Sequence, residues 1–187
     1  MNFVTCKQIH SDNIHLVSDA DFGKEIADCD GLITNIPNVK ISIRTADCVP
    51  ITLNDPINKV VGVVHAGWRG TEKKIVTNAV QLMTIKFNAD PKDIIVEIGP
   101  AIDKKNYVVR SDVANKFIYV YPEMFEKIGE DQWMFDLVGV NIKQLLSAGI
   151  QNENIKNSNI STFNDKNYSS YRRDRKSSGF ETSIMLN

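Results

Sequence analysis

Between residues 39 and 64 the chain passes three times through short stretches of β-branched and aliphatic residues. After residue 71 the spacing of its apolar positions changes. Residues 39–43, 49–53 and 59–64 read as strands, the last of them buried because it is apolar on both faces. Val76, Ala79, Val80, Met83 and Phe87 then recur at steps of three and four, which predicts an amphipathic helix with Thr71 as its N-cap. Residues 66–70 form the turn between strand and helix, where backbone N–H groups can bind an anion. Residues 94–98 predict a further buried strand that stops at Gly99-Pro100. Residues 112–119 predict a helix ending before Pro122, and residues 141–148 predict another, with Gly149 in the left-handed cap position. The Asn/Lys-rich run 151–167 reads as a solvated loop and residues 180–186 as a terminal strand. No internal repeat divides the chain. Strands and helices mix without a regular βαβ rhythm, which favours a mixed α+β sheet domain over a doubly wound one.

Composition narrows the function classes. At 187 residues and 42% hydrophobic, the chain can bury one substantial core but is short for two, so residues 1–187 are expected to be a single domain. A formal net charge of -1 gives no electrostatic footprint for nucleic acid or a membrane surface, and a small-molecule substrate fits better. No stretch has the length of a membrane span, and the opening residues lack the order of a signal peptide, so a cytoplasmic location is expected. Cys6, Cys29 and Cys48 are too few and too unevenly placed for a disulfide framework and read as reduced thiols.

Chemistry concentrates in the first 70 positions. Gln8-Ile9-His10, Thr45-Ala46-Asp47-Cys48 and His65-Ala66-Gly67-Trp68-Arg69-Gly70 bring two imidazoles and a thiol around a glycine-rich turn. Three such donors suit a tetrahedral ion that keeps a fourth position open for chemistry. Each also has a structural reading: Cys48 as a small core hydrophobe, His65 as a hydrogen-bonded core histidine, Asp47 as a capping or turn residue. Arg44 and Arg69 flank the donors and suit an anionic co-substrate or a surface ion pair, and Arg172-Arg173-Asp174 reads as a solvated charge cluster.

Four segments in order, Thr45-Ala46-Asp47-Cys48-Val49-Pro50-Ile51, Val64-His65-Ala66-Gly67-Trp68-Arg69-Gly70-Thr71, Ile98-Gly99-Pro100-Ala101-Ile102 and Tyr171-Arg172-Arg173-Asp174, resemble the motifs of the YfiH-type laccase-domain family. Gln8-Ile9-His10 and Cys29-Asp30-Gly31-Leu32-Ile33-Thr34 fit its earlier segments. The resemblance implies a single layered α/β/β/α domain with a mixed β-sandwich core, and one Zn²⁺ held by His10, Cys48 and His65. It implies phosphorolysis of purine nucleosides with accompanying adenosine deamination, by a monomer or homodimer. In that reading Cys48, His65 and Asp47 are the catalytic candidates, and Arg44, Gly67, Arg69 and Gly70 bind substrate or phosphate.

Two alternatives stay open. One is the copper-dependent polyphenol oxidation first attributed to the family, although three histidines are few for several coppers. The other is a non-catalytic zinc- or nucleoside-binding protein. The second draws on departures from the pattern. Only seven residues precede Gln8, where family members carry an N-terminal extension with a Gly/Ser-rich stretch. Asp103, Lys105, Asn106 and Val108 stand where relatives commonly have Gly, paired cysteines and Glu, and Ser161 stands where cysteine is frequent.

Overall fold

The computed structural model describes residues 2–176 and 178–187. Strands β1 (Asn2–Cys6), β2 (Ile14–Leu16), β3 (Glu25–Ile26), β4 (Gly31–Thr34), β5 (Val39–Thr45), β6 (Val49–Asp55) and β7 (Val60–Ala66) come first. Helices α1 (Trp68–Glu72) and α2 (Ile75–Phe87) follow, then β8 (Ile95–Ile98), β9 (Val108–Val109), α3 (Ser111–Ala114), β10 (Phe125–Gly129) and β11 (Gln132–Phe135). The chain closes with α4 (Leu137–Ser147), β12 (Ile155–Asn157), α5 (Tyr171–Asp174) and β13 (Phe180–Met185).

A six-stranded mixed sheet, β12-β8-β6-β7-β4-β2, stacks on a four-stranded mixed sheet, β13-β5-β1-β3. Alternation along β5 explains the stacking. Val39, Ile41 and Ile43 point inward and meet Leu32, Val61 and Val63 of the larger sheet, while Arg44 faces out. β7 is buried along its whole length because its other face packs on α2 through Val64, Val76, Ala79, Val80 and Met83. The domain is therefore the layered α+β type expected, with a β-sandwich at its centre and β10-β11-β9 as a small antiparallel flap.

Several local expectations are corrected. Thr71 is not an N-cap: it lies inside α1, fully buried, hydrogen-bonded with Asn141 and accepting at its carbonyl from Gln144. Gly67 occupies the cap of α1, and the left-handed Lys74 separates α1 from α2, so one amphipathic pattern covers two helices. The helix expected over 112–119 ends at Ala114 and continues as turns. The helix expected over 141–148 starts earlier, where the Asp136 carboxylate accepts from the Gly139 N–H. Gly149 does take a positive φ of 99° beyond it. The polar run 151–167 is not all loop, since β12 adds a parallel edge strand beside β8.

Candidate metal centre

Strand register brings the donors together. β6 and β7 pair antiparallel with Pro50 opposite His65, which places Cys48, one residue before β6, beside the end of β7. His65 sits within that strand rather than past its end, 3% exposed. His10 arrives from the loop after β1 with φ 60°, and its ring meets that of His65 edge-on at 4.8 Å between centroids. The donor atoms of His10, Cys48 and His65 all lie within 4.8 Å of one another, the one such trio among the described residues. Donors 2.0–2.3 Å from a tetrahedral ion sit roughly 3.3–3.8 Å apart, so small side-chain rotations close this group on a metal. His15, the remaining histidine, lies apart from it and pairs with Asp21 at 2.9 Å.

Asp30, fully buried directly before β4, organises the group. Its Oδ1 accepts from His65 Nδ1 at 2.7 Å and from the His10 N–H at 3.0 Å. Its Oδ2 accepts from the Ser11 N–H at 2.6 Å, the Ser11 hydroxyl at 2.7 Å and the Ile9 N–H at 3.3 Å. One carboxylate thus fixes the ring orientation of His65, freeing Nε2 as the donor, and folds the loop that presents His10. Burial pushes the Asp30 carboxyl up, but hydrogen bonds from His65 and Ser11 outweigh it and hold the group at about 2. Cys48 shows the same contest: burial opposes ionisation, yet the neighbouring His65 charge and the His10 contact bring the thiol down to about 6. Burial works against the charged form of His65 as well, and the Cys48 thiolate together with Asp30 raises it to about 9. A thiolate at neutral pH is the form that ligates a soft or borderline metal.

The glycines of the turn have steric roles. A Cβ on Gly67 would stand 3.0 Å from His10 Cδ2 and 3.1 Å from Cys48 Sγ, so this position lets α1 close against the donors. A Cβ on Gly70 would meet the Ser11 carbonyl at 2.7 Å, so Gly70 lets α1 approach the His10 loop.

Asp47 adopts φ 91° and is buried, with Oδ1 accepting from the Thr162 hydroxyl at 2.7 Å and Oδ2 from the Arg172 N–H at 2.6 Å. Arg44 donates from Nε to the Ser178 carbonyl at 2.9 Å and from Nη2 to the Gly179 carbonyl at 2.8 Å. Its backbone pairs on both sides with the Gln8 carboxamide, each bond 2.8 Å. Arg69 is exposed, with its guanidinium 4.2 Å from the Trp68 ring centroid. The expected solvated cluster at 172–174 is corrected too. Arg173 donates to the Thr162, Phe163 and Tyr168 carbonyls and pairs with Asp174, while Arg172 Nη1 donates to the Val108 carbonyl.

The metal-ligand candidates open onto a cleft of about 290 Å³ lined also by Gln8, Arg44, Thr45 and Tyr171. Residue-by-residue reading of the chemistry missed Asp30. The visible signal was an acid standing directly before the short, mostly apolar run Gly31-Leu32-Ile33, a position where an unpaired charge would be costly.

The fold recurs in known proteins. Bacillus subtilis YlmD, named a purine nucleoside phosphorylase, is 32% identical over 189 residues, covering 95% of this chain and 68% of its own. A Clostridium acetobutylicum protein named a purine nucleoside phosphorylase is 37% identical over 186 residues, covering 96% of this chain and 75% of its own. Among solved structures, Bacillus licheniformis YfiH matches with a TM-score of 0.95 at 34% identity over 99% of this chain and 74% of its own. Geobacillus stearothermophilus YlmD matches with a TM-score of 0.93 at 33% identity over 99% and 73%. A family profile described as multi-copper polyphenol oxidoreductase laccase spans residues 1–187, and the chain belongs to that family.

Proposed function

We propose that this protein is a zinc-dependent purine nucleoside phosphorylase that also deaminates adenosine. The observation that carries the reading is the His10, Cys48 and His65 trio, held by one buried carboxylate and open to a cleft. The names borne by relatives at 32% and 37% identity supply the substrate class. A zinc ion held by these donors would act as a Lewis acid on a substrate group or on water.

The chain's own residues do the rest. Phosphate attacks C1′ of the ribose as the purine leaves, through a cation-like sugar that demands an ordered approach of the anion. Arg44 lines the cleft, and its planar guanidinium carries further N–H donors beyond the two spent on Ser178 and Gly179. Arg69 and the turn at Gly67–Gly70 lie on the α1 side of the donors and attract the same anion. Asp47 acts as a positioning residue: both its oxygens are engaged, so it holds the loop before Cys48 to the segment carrying Arg172. Asp30 keeps His65 in the tautomer that presents Nε2.

A test is to load purified protein with zinc, supply inosine or adenosine with and without phosphate, and follow base, ribose 1-phosphate and ammonia. Phosphate-dependent release of base is expected, and ammonia from adenosine in either condition. Absence of turnover from protein carrying one zinc per chain would overturn the enzymatic reading. A His₂Cys donor set also suits copper, and the family's description favours keeping that second reading. Copper-loaded protein that consumes oxygen on a phenol, with no phosphorolysis by the zinc form, would establish it instead.

A further inference from the structure

Tyr171 stands out at the mouth of the cleft. It is 58% exposed, lines the same cavity as His10, Cys48 and His65, and makes no ring contact with another described residue. Exposed aromatic surface is usually mobile, yet here the backbone on either side is fixed. Ser170, fully buried, accepts from the Arg173 N–H at 3.2 Å, and the Arg172 N–H donates to Asp47 Oδ2 at 2.6 Å. Arg173 clamps the same turn through the Thr162 and Tyr168 carbonyls at 2.7 and 2.9 Å. Asp47 adjoins Cys48 in sequence, so the segment bearing the ring is tied by one hydrogen bond to the residue before a metal-ligand candidate.

The rest of the cleft wall offers little to a flat heteroaromatic ring. The Gln8 carboxamide is committed to the Arg44 backbone, two Arg44 donors go to the 178–179 carbonyls and the remainder suit an anion rather than a ring face, and the imidazoles are turned toward the thiol. At about 290 Å³ the cavity is at the small end of ligand sites, so a nucleoside that reaches the donors also extends to the rim. That is where Tyr171 stands.

We propose that Tyr171 is the stacking platform for the purine base and sets the preference of the site for purine over pyrimidine nucleosides. This rests on the nucleoside reading above. Stacking on an aromatic side chain is worth roughly tenfold or more in affinity per base, and a larger π-face gains more. With the backbone of 170–173 held before binding, only the side-chain torsions of Tyr171 remain to be ordered on complex formation.

The test uses the full chain loaded with zinc and two readouts, calorimetric binding of inosine and steady-state phosphorolysis. Tyr171→Ala is expected to weaken inosine binding and raise KM at least tenfold. kcat should fall much less, and zinc content and melting temperature should stay at the parent values. Tyr171→Phe, which keeps the ring, is expected to restore affinity to within about threefold. Ribose 1-phosphate, lacking a base, should bind the parent and Tyr171→Ala alike, and uridine, with its smaller π-face, should lose less affinity than inosine. Unchanged inosine affinity in Tyr171→Ala overturns the proposal, as does an equal loss for ribose 1-phosphate. If the parent binds inosine without turnover, phosphorolysis fails as the function while binding still decides the role of Tyr171. If the parent binds no purine nucleoside, both fall.

Discussion

Replacing Asp30 by Asn is the sharpest perturbation available, because it preserves shape and removes only charge and one acceptor. The carboxylate accepts five hydrogen bonds, from His65 Nδ1, the N–H groups of Ile9, His10 and Ser11, and the Ser11 hydroxyl. An amide in its place turns one oxygen into a donor that faces at least one N–H donor. Whichever way the group is flipped, two or three donors face the new NH₂; the His65 ring nitrogen or the Ser11 hydroxyl can turn to accept from it, which leaves one or two backbone N–H groups unpaired at about 1–3 kcal/mol each. A second route gives a similar size. The carboxyl lies at about 2 rather than the ordinary 3.8, and a shift of this size corresponds to roughly 2 kcal/mol favouring the charged form in the folded protein. Asp30→Asn should therefore destabilise the metal-free protein by about 3 kcal/mol, lowering its melting temperature by about 6–12 °C. Zinc affinity should fall about 10- to 100-fold as His65 and His10 lose their orientation. Thermal melting in chelator and zinc competition against a chromophoric chelator measure the two effects separately. A variant that melts within about 2 °C of the parent and binds zinc within threefold would refute the anchoring role of this carboxylate.

Other outcomes follow from the same geometry. Gly67→Ala should cost zinc affinity tenfold or more with little loss of stability. Its Cβ would crowd His10 and Cys48, while φ of -74° needs no glycine, and metal titration beside a melting curve checks both halves. Cys48→Ala should abolish stoichiometric zinc and all phosphorolysis, and unchanged metal content would remove Cys48 from the donor set. Between pH 6 and 9 the metal-free site holds a Cys48 thiolate and a protonated His65. Zinc must displace the His65 proton there, so affinity should rise about tenfold per pH unit across that window and level off above it, as calorimetry in buffers of different ionisation enthalpy would show. Asp30, depressed to about 2, contributes stability that is complete above its ordinary 3.8 and is lost as pH falls through 2. Acid unfolding followed by circular dichroism should shift to higher pH in Asp30→Asn.

What could be read in the chain depended on how local the cause was. β5, β6 and β7 were visible because burial on one or both faces writes itself as β-branched runs. The donors were visible only as residue types, and their convergence came from the pairing of Pro50 with His65, which no spacing reveals. β12 was hidden since Ile155-Lys156-Asn157 is a short edge strand whose sequence is mostly polar. Thr71 misled because a threonine before an apolar stripe has the pattern of a cap, whereas Asn141 and Gln144 on a helix 70 residues onward claim it for the core. The partners of Asp47 and Arg172-Arg173 were not legible. Their hydrogen bonds cross more than a hundred residues or end on backbone carbonyls, and neither kind of partner leaves a trace in composition.

The pairing of β13 with β5 has a consequence for how the protein comes off the ribosome. Every donor, Asp30 included, lies on the first 66 residues, and the strands that align them pair within that stretch. The wall beside Arg44 is closed only when Glu181 pairs opposite it. At ordinary rates of synthesis roughly 6–24 s separate the emergence of β7 from that of β13. During that interval the nascent chain already holds every candidate metal ligand, while the strand that closes the wall beside Arg44 is still to come.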